Sequence, residues 1–207
     1  MKRELIVKTL NEMFPDAKAE LDFTNHFELL IAVVLSAQTT DIAVNKVTPA
    51  LFKQFGTPEK LMNAKQEEVE DLIKAIGLYR TKAKNIINLS KILHENFNSE
   101  VPSKRSDLES LPGVGRKTAN VVLSNAFNQN YIAVDTHVAR VSKRLGIAQE
   151  SDNVLTVEKK IEAYFEKKDL MKLHHQLIFF GRYHCTARNP KCEICPLQSV
   201  CNFYQNK

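Results

Sequence analysis

Lys117 and Asp135 are the two residues whose types and positions first suggest chemistry. Lys117 follows Arg116 directly after a Gly-Val-Gly turn, and Asp135 follows a short apolar run. An amine served by a carboxylate suits Schiff-base formation, because burial, a neighbouring cation and the positive end of a helix each favour the neutral, nucleophilic amine. The alternatives are a solvated surface lysine and a helix-capping aspartate. A capping aspartate can still accept a proton or stabilise a developing cation.

The turn Gly113-Val114-Gly115-Arg116 lies between two helical segments and is suited to binding a phosphate. Glycines let successive backbone N–H groups converge on an anion where a helix begins, and Arg116 adds charge attraction. A nucleotide-binding P-loop does not fit, because its lysine directly follows the second glycine and its loop leaves a β-strand. Two interpretations stay open: a hairpin that grips the DNA backbone without reading bases, and a turn that merely requires glycine.

The four cysteines crowd into one short segment with the pattern C-x6-C-x2-C-x5-C. In a reducing compartment such crowding favours metal ligation over disulfides. Four thiolates fit either a structural zinc or a 4Fe–4S cluster, and ligand chemistry alone leaves both open. Arg188 and Lys191 lie between the first two cysteines, so the metal-bound loop is expected to present positive charge to a phosphate backbone. The expected ligands are Cys185, Cys192, Cys195 and Cys201.

Helices are the elements that must position these groups, because apolar residues recur at helical spacing and no strand alternation is found. The boundary signals are the capping boxes Asn25-x-x-Glu28 and Ser106-x-x-Glu109, the N-cap and first-turn proline Thr57-Pro58, and the helix-ending glycines Gly77 and Gly146. Roughly ten helices are expected by this pattern. The segments are His26–Ala37, Thr57–Asn63, Glu67–Ile76, Lys82–Asn96, Ser106–Ser110, Arg116–Ala126, Thr136–Leu145, Val157–Glu166 and Asp169–Tyr183.

Composition limits the class of protein without naming a function. The chain has 207 residues, a formal net charge of +5 and 43% hydrophobic residues, which predicts one or two globular domains. The basic balance fits a nucleic-acid partner but is weak evidence alone. No signal-peptide core can be drawn after Met1, and the longest apolar run, Leu29–Leu35, is too short for a bilayer. A cytoplasmic protein without a membrane partner is expected.

Four segments carry a joint resemblance to a known family. They are Leu35-Ser36-Ala37-Gln38-Thr39-Thr40-Asp41, the Leu111–Asn120 hairpin, Val134-Asp135-Thr136-His137 and the four-cysteine spacing. In this order, over nearly the whole chain, they resemble the endonuclease III family of the helix-hairpin-helix DNA glycosylase superfamily. The resemblance implies an all-α, two-lobed fold with a C-terminal 4Fe–4S cluster loop. One lobe would span residues 22–130 with its helix-hairpin-helix at about 106–126, and the other residues 1–21 plus 131–207.

The resemblance also implies a bifunctional base excision repair enzyme. Lys117 would attack the sugar C1′ of an oxidised pyrimidine nucleotide, Asp135 would assist, and the Schiff base would permit β-elimination at the abasic site. Gln38 and Leu78 would fill the gap left by the flipped nucleotide, although a helix-end glutamine and a turn leucine are the plain alternatives. The implied partner is double-stranded DNA with damaged pyrimidines or abasic sites, bound by a monomer that is nucleoid-associated in a bacterium.

Two other functions stay open from the sequence. The first is an adenine-type monofunctional glycosylase, which resembles this family elsewhere but lacks a lysine at the position of Lys117. The second is a non-catalytic helix-hairpin-helix module that binds DNA around a structural zinc. The family spacing of the cysteines favours iron–sulfur over zinc.

Overall fold

The computed structural model describes residues 1–206, and that part of the chain contains helices and no β-strand. The prediction of an all-α fold is therefore confirmed. The chain forms two compact units. A continuous unit spans Glu20–Phe127, and a discontinuous unit combines Met1–Ala19 with the chain from Asn128 onward. The predicted division into a lobe of residues 22–130 and a lobe of residues 1–21 plus 131–207 stays a prediction. No helix in residues 1–206 combines the length and apolar character needed to cross a membrane.

The continuous unit is organised around a helix that is buried on almost every side. Its helices are α2 (His26–Leu35), α3 (Asp41–Phe55), α4 (Pro58–Met62), α5 (Gln66–Ile73), α6 (Tyr79–Phe97), α7 (Arg105–Glu109) and α8 (Arg116–Phe127). Eight of the ten residues of α2 are buried, and α2 packs against α3, α6 and α8. This burial explains its apolar run, because a helix that is hydrophobic all round belongs in a core.

Helix starts in the continuous unit follow the predicted signals in two of three cases. Asn25 caps α2 by accepting the N–H of Glu28 at 2.9 Å, and Thr57 caps α4 with Pro58 in the first turn. The Ser106 capping box is wrong, because α7 begins one residue earlier at Arg105, with Lys104 as its N-cap. The Ser106 hydroxyl instead donates to the carboxylate of Asp107.

Two further differences concern helix bounds in this unit. Helix α3 is absent from the predicted set although its buried positions, Val44, Val47, Thr48, Leu51 and Phe55, follow helical spacing. Pro49 inside α3 conceals that pattern, since proline normally ends a helix. The helix that was expected to end at Gly77 ends earlier, because the last residue of α5 is Ile73.

The discontinuous unit buries one apolar cluster drawn from both of its chain segments. Its helices are α1 (Lys2–Met13), α9 (Thr136–Arg144), α10 (Val154–Tyr164), α11 (Leu170–Phe179) and α12 (Asn202–Gln205). Ile6 and Leu10 of α1 join Val138 and Val141 of α9 in this core. The side-chain amide of Gln176 on α11 also donates to the carbonyl of Leu10 at 3.2 Å. Helix α1 is therefore an integral part of the unit.

The chain between α11 and α12 leaves regular α-helix at the cysteine segment. Helix α11 ends at Phe179, and Phe180–His184 forms a π-helical turn that ends immediately before Cys185. The single helix predicted over Asp169–Tyr183 is therefore too long at both ends, since Lys167–Asp169 forms a 3-10 turn. Cys192–Ile194 and Gln198–Val200 form two more 3-10 turns that fold the cysteine segment on itself.

Candidate functional site

The glycine turn joins α7 to α8 as a hairpin held by its apolar residues. Leu111 and Val114 are both buried, and the N–H of Val114 donates to the carbonyl of Leu111 at 3.1 Å. Gly113 has a φ of +80°, and a Cβ there would lie 3.0 Å from the Asn85 amide nitrogen and 3.2 Å from Val34. The fold itself therefore requires glycine at position 113.

Gly115 differs from Gly113, because the fold does not require it to be glycine. Its φ is ordinary, and a Cβ there would have no atom within 4 Å. Gly115 is exposed immediately before the first turn of α8. A missing side chain at an exposed helix start leaves the backbone open to close approach by an anion. The geometry favours a phosphate-binding hairpin over a turn that merely requires glycine.

Lys117 lies in the first turn of α8, directly after the hairpin. Its side chain and that of Arg116 are exposed. The Lys117 amine is therefore open to solvent in the described structure. The neighbouring cation and the helix N-terminus are present as expected. An exposed amine beside a phosphate-binding turn is accessible to a DNA substrate.

Asp135 belongs to the discontinuous unit, where it caps α9. Its Oδ1 accepts the N–H of Val138 at 2.7 Å, and the preceding residues Ile132, Ala133 and Val134 are buried. The predicted N-cap role is confirmed. Only one carboxylate oxygen makes this capping bond, and Asp135 is half-buried. The carboxylate is thus held in place while one oxygen stays available for chemistry.

Gln38 and Leu78 share an unusual backbone conformation in the continuous unit. Their φ values are +54° and +58°, although neither is glycine. Bulky residues seldom adopt this region, and when they do the strain often marks a functional site. Leu78 is 59% exposed at the start of α6, and Gln38 is exposed at the end of the α2 segment. Both side chains are therefore presented to solvent by strained turns.

The four cysteines line one pocket in the discontinuous unit. The empty space of the whole pocket is about 380 Å³, part of which is open to solvent. All four are free thiols. In residues 1–206 no three His, Cys, Asp or Glu side chains converge on a single ion, so the thiols share the pocket without meeting at one point. The structure therefore brings all four predicted ligands together around a common space.

Two features of the pocket fit an iron–sulfur group. Burial raises the pKa of the Cys185 thiol, which a hydrogen bond from Arg144 opposes, and burial also raises the pKa of Cys195. Buried thiolates therefore need the positive charge that iron supplies. The buried Nε2 of His184, a pocket-lining residue, has no hydrogen-bond partner within residues 1–206. A buried ring nitrogen without a partner is consistent with a bound group that can accept its hydrogen bond.

Arg144 at the end of α9 holds the start of the cysteine segment. Its guanidinium donates to Sγ of Cys185 at 3.3 Å, to the carbonyl of Thr186 at 2.7 Å and to that of Ala187 at 3.0 Å. The same group lies 4.4 Å over the ring of Phe203. A planar guanidinium with five donors suits such a fork of acceptors, and lysine does not.

Arg140, one helical turn earlier, supports the same segment. It donates to the carbonyl of Gly181 at 2.7 Å, to that of Cys185 at 3.3 Å and to Nδ1 of His137 at 3.2 Å. Sequence analysis missed both arginines as functional residues. Their spacing of four on the helix capped by Asp135 was the available signal, because such residues share one helix face. Arg188 and Lys191 are exposed on the cysteine segment, as predicted.

Two families match the segments that carry these features. Residues 31–167 match the family described as "HhH-GPD superfamily base excision DNA repair protein". Residues 185–201, which run from the first cysteine to the fourth, match the "Iron-sulfur binding domain of endonuclease III". The endonuclease III of Bacillus subtilis (strain 168) is 53% identical over 99% of this chain and 93% of its own length. The chain belongs to the endonuclease III family.

Other members of the endonuclease III family agree over the full chain. The Escherichia coli (strain K12) protein is 48% identical over 98% of this chain and 95% of its own length. A trapped covalent intermediate of an endonuclease III with DNA has a TM-score of 0.93 and 51% identity, covering 100% of this chain and 98% of that one. A thermostable thymine-DNA glycosylase, at 24% identity and a TM-score of 0.90, shares the fold.

Membership of the endonuclease III family decides between the two metals that ligand chemistry left open. The matched iron–sulfur domain covers all four cysteines, and the pocket they line fits a cluster. The cofactor of this chain is a 4Fe–4S cluster, as predicted. The family is one of base excision repair DNA glycosylases, so the prediction of a DNA repair enzyme is also confirmed.

Proposed function

We propose that this chain removes oxidised pyrimidines from double-stranded DNA and then cleaves the resulting abasic site. The observation that carries the proposal is the position of Lys117, an exposed amine in the first helical turn after the open hairpin at Gly113–Gly115. A related endonuclease III has been trapped as a covalent intermediate with DNA, which supports a covalent step in the family. An amine nucleophile is the group that gives a Schiff base with a sugar aldehyde.

Lys117 and Asp135 carry the chemical steps in this proposal. The neutral amine of Lys117 forms a bond to C1′ as the C1′–N bond to the base breaks, and the departing base takes up a proton. The Lys117 nitrogen then passes one proton to O4′ as the C1′–O4′ bond breaks, which opens the sugar ring and leaves a protonated imine. Removal of a C2′ proton then expels the 3′ phosphate. The Asp135 carboxylate accepts a proton or stabilises the developing cation, which its capping bond leaves one oxygen to do.

The hairpin and the cysteine segment bind the DNA backbone. Backbone N–H groups around Gly113, Val114, Gly115 and Arg116 bind a phosphate, while Arg188 and Lys191 add attraction from the cysteine segment. Such contacts fix the register of the duplex without reading its sequence. The 4Fe–4S cluster is held by Cys185, Cys192, Cys195 and Cys201 in this proposal, and when bound it fixes the shape of their segment.

Gln38 and Leu78 enter the base stack where the damaged nucleotide leaves it. One polar and one apolar side chain suit this role, because the opposite base needs a hydrogen-bond partner and the stack needs an apolar filler. Their exposure and their strained turns support the assignment. The chain acts as a monomer in the cytoplasm, at the nucleoid in a bacterium.

Borohydride trapping tests the proposal directly. The protein is mixed with a duplex containing one abasic site, reduced, and analysed on a denaturing gel, with the attachment site read by mass spectrometry. The wild-type chain is expected to form an adduct at Lys117, and Lys117→Ala is expected to form none. Lys53→Ala, which removes another exposed lysine of the same unit, is the matched control and should trap normally.

An adduct that persists in Lys117→Ala would refute the assigned nucleophile. Base release from a lesion duplex without any adduct or strand cleavage by the wild type would identify a monofunctional glycosylase instead.

A further inference from the structure

Lys82 is a buried charged side chain that the proposed chemistry does not use. Only 4% of its surface is exposed, and it lies in the first turns of α6. Its Nζ donates to the hydroxyl of Thr39 at 2.7 Å, across 43 residues of sequence. Burying an ammonium group costs free energy, because the group loses its bound water. The hydrogen bond to Thr39 offsets part of that cost.

Lys82 contacts both strained turns of the continuous unit, one through its backbone and the other through its side chain. At one end, the backbone N–H of Lys82 donates to the carbonyl of Leu78 at 3.0 Å, within the first turn of α6. At the other end, its ammonium reaches Thr39, the residue after Gln38. One residue therefore contacts the turn that presents Leu78 and the turn that presents Gln38.

Thr39 also makes the hydrogen bonds that hold the backbone next to Gln38. Its hydroxyl accepts from Lys82 and donates to the carbonyl of Ala37 at 3.4 Å, and its backbone N–H donates to the carbonyl of Ser36 at 3.0 Å. These bonds close the chain on both sides of Gln38, whose φ of +54° must be held by its surroundings. Loss of the Lys82 contact removes the hydrogen bond that ties this turn to α6.

We propose that Lys82 and Thr39 are positioning residues, which fix Gln38 and Leu78 relative to each other before the enzyme meets DNA. The proposal rests on the proposed function of those two side chains as fillers of the gap in the stack. Two fillers that enter one gap must keep a fixed separation, and a charged hydrogen bond between their turns restricts it. The pair acts through Gln38 and Leu78 and touches no reacting atom.

A comparison of two substrates separates positioning from chemistry. An intact lesion must be unstacked and replaced in the helix, whereas an abasic site has no base to extrude. Single-turnover base release is therefore measured on a duplex containing 5-hydroxycytosine, and borohydride trapping on the same duplex with an abasic site. We expect Thr39→Val to slow base release about fivefold, the effect of one lost hydrogen bond, and to leave trapping nearly unchanged.

Two further variants serve as matched controls, one at Thr39 itself and one on α6. Thr39→Ser keeps the hydroxyl and should restore base release, while Thr81→Val removes an exposed hydroxyl from α6 and should change nothing. In a double-mutant cycle, Thr39→Val should add little to Lys82→Met, because both variants remove the same bond. With 2-aminopurine opposite the lesion, Thr39→Val should show a smaller fluorescence change on binding than the wild type.

Different results would contradict the positioning role and the proposed function. Equal slowing of base release and trapping by Thr39→Val, no slowing of either, or failure of Thr39→Ser to restore base release would overturn the positioning role. Failure of the wild-type chain to trap on abasic DNA would instead overturn the proposed function, and this inference with it.

Discussion

The guanidinium of Arg144 donates a hydrogen bond to Sγ of Cys185 and two more to the carbonyls that follow it. One residue at the end of α9 thus fixes the first cysteine and the chain after it. Because Asp135 caps α9, the helix next to the proposed carboxylate also supports the cysteine segment.

Replacing Arg144 with glutamine should weaken retention of the cluster. Glutamine cannot reach the thiol and two carbonyls together, so we expect a loss of about 2 kcal/mol of stability and a Tm lower by about 4 to 8 °C. Iron content and visible absorbance should fall faster on incubation with a chelator. Arg188→Gln, an exposed change on the same segment, is the control. Equal iron loss from both variants would contradict a specific role for Arg144.

Replacing Asp135 with asparagine should keep the helix cap and remove the catalytic charge. Asn is as good an N-cap as Asp, so Asp135→Asn should unfold at nearly the wild-type Tm. Its single-turnover base release should fall by about 100-fold or more, because the carboxylate charge is gone. Asp135→Ala should lose the same activity and about 1 kcal/mol of stability as well. Wild-type turnover in Asp135→Asn would leave Asp135 as a cap only.

Replacing each of the two hairpin glycines with alanine should affect a different property, stability at position 113 and DNA affinity at position 115. Gly113→Ala should cost about 1 to 3 kcal/mol of folding free energy, because a side chain is strained at a φ of +80° and the added Cβ would press on Asn85 and Val34. Gly115→Ala should fold normally, since nothing lies within 4 Å of the added atom. It should bind damaged and undamaged duplexes about tenfold more weakly, by the loss of phosphate hydrogen bonds.

Thermal unfolding and fluorescence-anisotropy titrations measure both effects of the glycine variants. Normal DNA affinity in Gly115→Ala would argue against a phosphate at this hairpin.

Replacing Lys82 with methionine should change how stability depends on pH. Burial lowers the pKa of Lys82 below its ordinary value of 10.5, so the folded chain binds this proton less tightly than the unfolded chain. The penalty is complete below the folded pKa and disappears as the pH rises to 10.5. Lys82→Met should therefore be most stabilised relative to wild type near neutral pH. Urea unfolding at several pH values tests this, and a pH-independent difference would contradict it.

The parts of this molecule that are predictable from sequence are those determined by near neighbours. The cap at Asp135 and the burial of α2 depend on a few adjacent residues, and both follow from pattern alone. The Lys82–Thr39 bond joins positions 43 residues apart and has no local signal. The π-helical turn before Cys185 also escapes prediction, because its residues read as a continuation of α11. Tertiary contacts override local propensity in such places.

The same limit applies to the functional residues. Lys117 is recognisable beside its glycines, but its exposure depends on the packing of the whole unit. Arg144 looks like an ordinary basic residue at a helix C-terminus, a position where such charges are common. Its role becomes visible only when the fold brings Cys185 to it across 41 residues.

The division of the discontinuous unit has a consequence for its biosynthesis. Gln176 holds the end of α1 from 166 positions downstream, so α1 leaves the ribosome long before its partner exists. At about 5 to 20 residues per second, this interval lasts about 10 to 30 s. During that time Ile6 and Leu10 lack their partners on α11, and residues 20–127 are completed before those partners emerge. Iron delivery must come later still, since the cysteines emerge after Gln176 and the nascent chain has no pocket to offer before then.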